Sequence, residues 1–176
     1  MKKKICAMVV GGLSFAAMPA HALDGTYLLL GRGDGADIAR AGLMWNWQKT
    51  WRVSDQWHWG GYWDASLGYW HERDAGSDNR NIVDIGVTPV FRLQRSAVGG
   101  LAPYVEGAIG VHLLSHPYAG KLGSCFEFGD HVGLGARFGP KQEYDLAYVL
   151  QHVSNGGIKQ PNHGINFNQI RFAYHF

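Results

Sequence analysis

Asn168-Gln169-Ile170-Arg171-Phe172-Ala173-Tyr174-His175-Phe176 closes the chain, and its alternation decides the fold. Asn168, Ile170, Phe172, Tyr174 and Phe176 fall on one parity, and Gln169, Arg171, Ala173 and His175 on the other. Successive side chains of a strand point to opposite faces, so this period of two reads as a strand with one apolar face and one polar or small face.

The same alternation recurs upstream. Val83, Ile85, Val87, Pro89, Phe91 and Leu93 share a face; so do Val105, Ile109, Val111 and Leu113, opposite Tyr104, Glu106, Gly110 and His112. Phe126, Phe128, Val132, Leu134 and Phe138 stand opposite Glu127, His131, Gly133, Gly135 and Arg137, and Tyr144, Leu146, Tyr148 and Leu150 continue the pattern. The pattern predicts eight strands, at roughly 25–33, 36–48, 56–71, 81–94, 102–115, 122–138, 142–154 and 166–176. Pro89 has no N–H for a ladder, which predicts a bulge or a strand end there. Asp130 is a carboxylate on the apolar parity of its strand.

The N-terminus reads as an export leader. Three lysines precede an apolar run from Ile5 to Met18 and the cleavage-type sequence Pro19-Ala20-His21-Ala22. Residues 1–22 are therefore expected to be a signal peptide, and 23–176 a single barrel domain. The whole chain carries a formal charge of +2, but residues 1–22 hold three lysines and no acid, so the mature charge is −1. Nothing in this balance points to nucleic acid.

A soluble sandwich or lipocalin-like barrel would turn the apolar faces inward. Two features favour the reverse. The polar faces carry Glu106, Glu127, His131 and Arg137 together with glycines that suit a narrow lumen, and the apolar faces carry aromatic residues near strand ends. An amphipathic last strand ending on Phe176 also resembles the assembly signal of bacterial outer-membrane proteins. The expected fold is all-β: an eight-stranded antiparallel transmembrane β-barrel in the Gram-negative outer membrane. Eight strands leave an interior that side chains fill, so function is expected in loops or on the outer wall.

Two adjacent strands turn polar on that wall at the same end. The apolar parity of 144, 146, 148 and 150 continues into His152 and Ser154, and that of 170, 172 and 174 runs back into Asn168 and Asn166. A bilayer penalises polar groups, so they need a reason. With a periplasmic N-terminus and an even strand count, the 155–165 connection beside them is extracellular. His152 and Ser154 stand two residues apart on one face, roughly 6–7 Å between Cα atoms, within reach for a general base and its nucleophile. Asn155, Gly156 and Gly157 follow, and a glycine-rich turn can aim N–H groups at an oxyanion. Alone, a His-x-Ser pair reads more readily as a polar strand end at headgroup level.

The wider stretch H-V-S-N-G-G-I-K-Q-P-N-H-G-I, residues 152–165, resembles the lipid A 3-O-deacylases of the PagL family. The resemblance extends through W-N-W-Q-K-T-W at 45–51, G-Y-W-D-A at 61–65, T-P-V-F at 88–91, P-Y-V-E-G-A-I-G-V at 103–111 and G-S-C-F-E-F-G-D at 123–130. It implies an eight-stranded outer-membrane barrel with a serine-hydrolase triad on its exterior, removing the ester-linked 3-hydroxyacyl chain at position 3 of lipid A. Ser154 then matches the nucleophile and His152 the base, and Asn155 and Gly157 match the oxyanion region. Lipopolysaccharide is the implied partner, and no cofactor or metal is implied.

The third member departs from the family. Its acid is a glutamate twelve residues after the serine, and here that position is Asn166; no Asp or Glu follows Asp145. Three readings stay open. Asn166 orients His152 by a neutral hydrogen bond. Asp130 serves as the acid, lying opposite about Leu150 and diagonal to His152 if a tight 139–141 turn sets the register. Or the chain is an impaired or non-catalytic small barrel with a structural or adhesive role. Lys159, in the loop beside the site, is the candidate for a substrate phosphate. His58, His112, His116, His131 and His163 show no metal-ligand spacing. The oligomeric state is open, a homodimer included.

Overall fold

The computed structural model describes residues 22–73 and 81–176; the expected leader lies outside them except for Ala22. Eight long strands build the wall: β1 (Gly25–Gly33), β2 (Ala36–Asn46), β4 (Trp57–Glu72), β5 (Asn81–Arg95), β6 (Leu101–Leu114), β7 (Phe126–Phe138), β8 (Tyr144–Ser154) and β9 (Ile165–His175). A two-residue piece, β3 (Trp51–Arg52), pairs with the start of β4. Each long strand is antiparallel to its neighbour, β9 returns to β1, and the β2–β4 pairing completes the closure. The expected eight-stranded barrel is what forms.

Two local expectations change. Residues 122–125 precede β7 instead of opening it, because Leu122 bridges Asn162 of another connection and is buried there. Pro89 lies inside β5 without a bulge. Val87 opposes Val111 and Val90 opposes Ala108, so the register is kept while the ladder to β6 skips two positions. The other edge stays paired, with Pro89 opposite Trp63 of β4.

Polarity is inverted relative to a soluble domain. Leu28, Leu30, Leu67, Ile109, Val132, Leu134 and Phe172 are exposed on the outside, while Asp84, Glu106, Asp145, Arg40, Arg92 and Arg171 are buried inside. An apolar belt of this kind is stable only against hydrocarbon. Buried charge is costly unless paired, and the pairing here is dense. Glu106 binds Arg171 at 2.7 Å and Arg92 at 2.9 Å, and Arg92 reaches Asp145 at 3.0 Å while lying over the Tyr104 ring. Asp84 joins Arg40 at 2.6 Å and His112 at 2.8 Å. These paired side chains pack the interior, as an eight-stranded barrel allows.

The two barrel ends differ. Tyr144 lies 5.6 Å from Phe138, 6.3 Å from Phe172 and 5.7 Å from Tyr174, and Tyr174 lies 5.8 Å from Phe176, between ring centroids. This aromatic cluster surrounds the 139–143 turn and the end of β9, as an interfacial girdle does. The opposite end carries the 155–164 connection and the polar outer positions.

Candidate active site

β8 and β9 present the site. Outward positions of β8 run Tyr144, Leu146, Tyr148, Leu150, His152 and Ser154, and the last two are half-buried where the strand meets the 155–164 loop. The register sets His152 opposite Asn166 and Leu150 opposite Asn168. Eight residues separate Tyr144 from His152, roughly 27 Å along a strand, or about 20 Å of height at a tilt near 40°. His152 and Ser154 therefore sit at the rim of the apolar band, opposite the aromatic girdle.

Nδ1 of His152 lies 2.8 Å from Oδ1 of Asn166. Asn166 is held on its other side by Asp34, in the turn between β1 and β2. One carboxylate oxygen of Asp34 accepts from the Asn166 side-chain amide at 3.1 Å and from its backbone N–H at 3.2 Å. The backbone N–H of Asp34 donates in return to the Asn166 carbonyl at 3.2 Å. Lys121 grips the Asp34 carbonyl. The arrangement follows from closure, since β1 pairs with β9 as far as Gly33 opposite Phe167.

Gly164 backs the imidazole. It adopts φ 69°, and a Cβ built there would lie 3.0 Å from Nε2 of His152 and closer still to Cε1. Only a residue without a side chain lets this ring seat against the loop.

Asp130 lies directly opposite His152, not opposite Leu150. The connection spans 139–143, longer than the expected 139–141 turn, and this moves the register by two residues. Asp130 is exposed beside the ring, but Nδ1 is already taken by Asn166.

The expected oxyanion residues play another part in this conformation. Asn155 is fully buried. Its backbone N–H donates to Asn162 at 2.9 Å, its side-chain amide to the Lys159 carbonyl at 2.8 Å, and its Oδ1 accepts from Gly157 at 3.0 Å. The donors of Asn155 and Gly157 thus hold the loop together. Gly156, at φ 63°, is the residue between them, and its N–H has no partner among the described residues. Lys159 is an exposed loop residue.

An open groove of about 610 Å³ runs down the wall from His152. Ile109, Val132 and Leu150 line it, with Asn166 and Asn168 on one side and Gly107, which has no side chain, in its floor. Tyr148 donates to Asn168 at 2.6 Å, fixing that amide below the site.

Asp34, Asn162 and Gly164 escape the sequence reading. Asp34-Gly35 is visible only as a turn signal, and its approach to Asn166 depends on the β1–β9 closure register, which no local pattern encodes.

Residues 38–175 match the family model described as lipid A 3-O-deacylase (PagL). The chain is 33% identical over 168 residues to the lipid A deacylase PagL of Pseudomonas aeruginosa, covering 94% of each chain. It superposes on the crystal structure of the outer membrane enzyme PagL with a TM-score of 0.75 and 28% identity, over 85% of this chain and 98% of that one. Neisserial surface protein A superposes with a TM-score of 0.52 at 11% identity, over 86% of this chain and 95% of that one, a likeness of fold alone.

Proposed function

The chain belongs to the PagL family of lipid A 3-O-deacylases, and on that premise we propose that it hydrolyses the 3-hydroxyacyl ester at position 3 of lipid A through Ser154, His152 and Asn166. The supporting observation is the 2.8 Å contact of His152 Nδ1 with Asn166 Oδ1, on the same outward face as Ser154 and at the rim of the apolar band. An amide oxygen can only accept, so Nδ1 carries the ring proton and Nε2 is free to act as base.

Ser154 Oγ attacks the ester carbonyl as its proton passes to His152 Nε2. The free N–H of Gly156 supports the developing oxyanion, in a loop whose shape Asn155, Gly157 and Asn162 hold. Collapse breaks the bond to the sugar oxygen, which leaves with the proton from His152, and the acyl group stays on Ser154. Water, deprotonated by His152, then attacks the acyl-enzyme, releases a 3-hydroxy fatty acid and regenerates Ser154. The acyl chain rests along the groove past Leu150 and Val132. We assign Lys159, an exposed residue of the same loop, to a phosphate of the lipid, a role that its charge supports. Residues 1–22 act as the export leader that delivers the chain to the outer membrane.

The test is release of 3-hydroxy fatty acid from lipopolysaccharide by the purified, folded barrel, with lipid A mass spectrometry as a second readout. Ser154→Ala should abolish release and leave the barrel folded. A wild-type protein that releases nothing would point instead to a non-catalytic barrel. A Ser154→Ala protein that still turns over would remove the serine mechanism.

A further inference from the structure

Asn166 poses a problem that the Ser154–His152–Asn166 reading does not solve. A carboxamide has two nearly isosteric ends, and only one of them supports a general base. With Oδ1 toward His152, the ring keeps its proton on Nδ1 and Nε2 can take the serine proton. With Nδ2 toward His152, the ring must accept at Nδ1, its proton moves to Nε2, and the base is lost. Asn166 also brings no charge to the imidazolium that forms during attack.

Asp34 answers both points. Its carboxylate oxygen, 3.1 Å from Asn166 Nδ2 and 3.2 Å from the Asn166 backbone N–H, can only accept. It therefore requires the amide to turn Nδ2 toward β1 and Oδ1 toward His152. Deprotonated, it also carries a negative charge one amide away from the ring, on an atom chain that runs carboxylate, amide, imidazole. Asp34 is held for this from both sides: its own N–H reaches the Asn166 carbonyl, and Lys121 grips its carbonyl.

We infer that Asp34, contributed by the β1–β2 turn at the far edge of β9, is a positioning residue of the active site, fixing the Asn166 amide so that His152 holds the tautomer a general base needs. The inference rests on the serine-hydrolase reading of His152 and Ser154. The division of labour is unusual for a hydrolase site: the group touching imidazole supplies geometry, and the charge stands one residue behind it.

Substitutions separate orientation from charge. Asp34→Ala removes both, and because the amide is then free to rotate, kcat should fall about 100-fold, in line with the cost of a misplaced catalytic group. Asp34→Asn loses the charge and keeps an accepting oxygen, because the Asn166 backbone N–H, which shares that oxygen with Nδ2, fixes which end of the new amide faces them. Asp34 is exposed, so screening makes the charge worth less than a carboxylate in direct contact with imidazole, and kcat should fall only about 3–10-fold. KM should stay within about twofold in both variants, since Asp34 does not touch the groove.

The deciding arm is Asn166→Asp or Asn166→Glu, whichever folded protein is the more active. Each puts a carboxylate against Nδ1 directly, which sets the tautomer without help. In that background Asp34→Ala should cost nothing in kcat. An undiminished kcat in Asp34→Ala with wild-type Asn166 would overturn the inference. So would an equal loss in both backgrounds, because Asp34 would then act through the fold of the turn. So would the absence of activity in both carboxylate variants, because an anion at His152 would then be unproductive. If Ser154→Ala keeps activity, the underlying site reading fails; if Ser154→Ala is dead and Asp34→Ala is normal, only the role of Asp34 fails.

Discussion

Gly164→Ala is the smallest change that should disable the site without replacing a reacting group. Two effects follow from the added methyl. At φ 69° an L-residue with a Cβ is strained by about 1–2 kcal/mol, a loss that a closed eight-stranded barrel can absorb. The second effect is local. The new Cβ would stand 3.0 Å from Nε2 of His152, nearer still to Cε1, and 3.4 Å from the Val153 carbonyl. Carbon contacts settle at about 3.5–4.0 Å, so the imidazole must retreat by on the order of 1 Å. A displacement of that size can cost about 100-fold in rate. We therefore expect kcat for 3-hydroxy fatty acid release to fall roughly 100-fold, with the urea unfolding midpoint, followed by tryptophan fluorescence in detergent, only slightly lowered. Gly120→Ala is the control. Gly120 has φ 77°, and a Cβ added there would meet nothing within 4 Å, so it carries the strain without the collision. Equal activity losses in the two variants, or a Gly164→Ala enzyme with normal kcat, would refute the argument.

Two further substitutions test the wall and the interior. Gly107→Leu places a side chain in the groove floor, where a Cβ meets only a carbonyl oxygen at 3.8 Å; the fold should hold while KM for long-chain substrate rises several-fold, and an unchanged KM would move the acyl chain elsewhere. Glu106→Gln leaves the Arg92 and Arg171 charges short of their shared carboxylate inside the lumen, and should lower unfolding stability by about 3–5 kcal/mol. A midpoint equal to wild type would mean that water or other acids already neutralise these arginines.

The barrel was legible because its evidence is local and repeated. The parity of Ile170, Phe172, Tyr174 and Phe176, multiplied over the other strands, fixes both the fold class and which residues face lipid. His152 and Ser154 stand out for the same reason, as polar exceptions on an apolar parity, but parity alone reads as a polar strand end, and their candidacy as a catalytic pair came from the resemblance of residues 152–165. Register was not legible: Asp130 landed two residues from its expected neighbour because the 139–143 turn is longer than its glycine and proline suggested. The second layer of the site was hidden further still. Asp34 and Asn166 are separated by 132 positions and meet only because the first and last strands pair. Gly164 reads as an ordinary loop glycine until the ring it supports is in view. The loop donors show a different limit, since sequence can place Asn155 near the site but cannot say that its amide is already used by Lys159.

The filled lumen has a kinetic consequence. If the proposed site on the outer wall is the reactive one, substrate reaches it from the side, by diffusion within the leaflet, and not through an interior packed with the Glu106 and Asp145 clusters. The encounter is two-dimensional. The quantity that governs turnover is then the mole fraction of lipid A at the barrel surface. Adding inert detergent or phospholipid at constant bulk substrate should slow the reaction by surface dilution, and packing of neighbouring lipids around the β8–β9 face becomes part of the rate law.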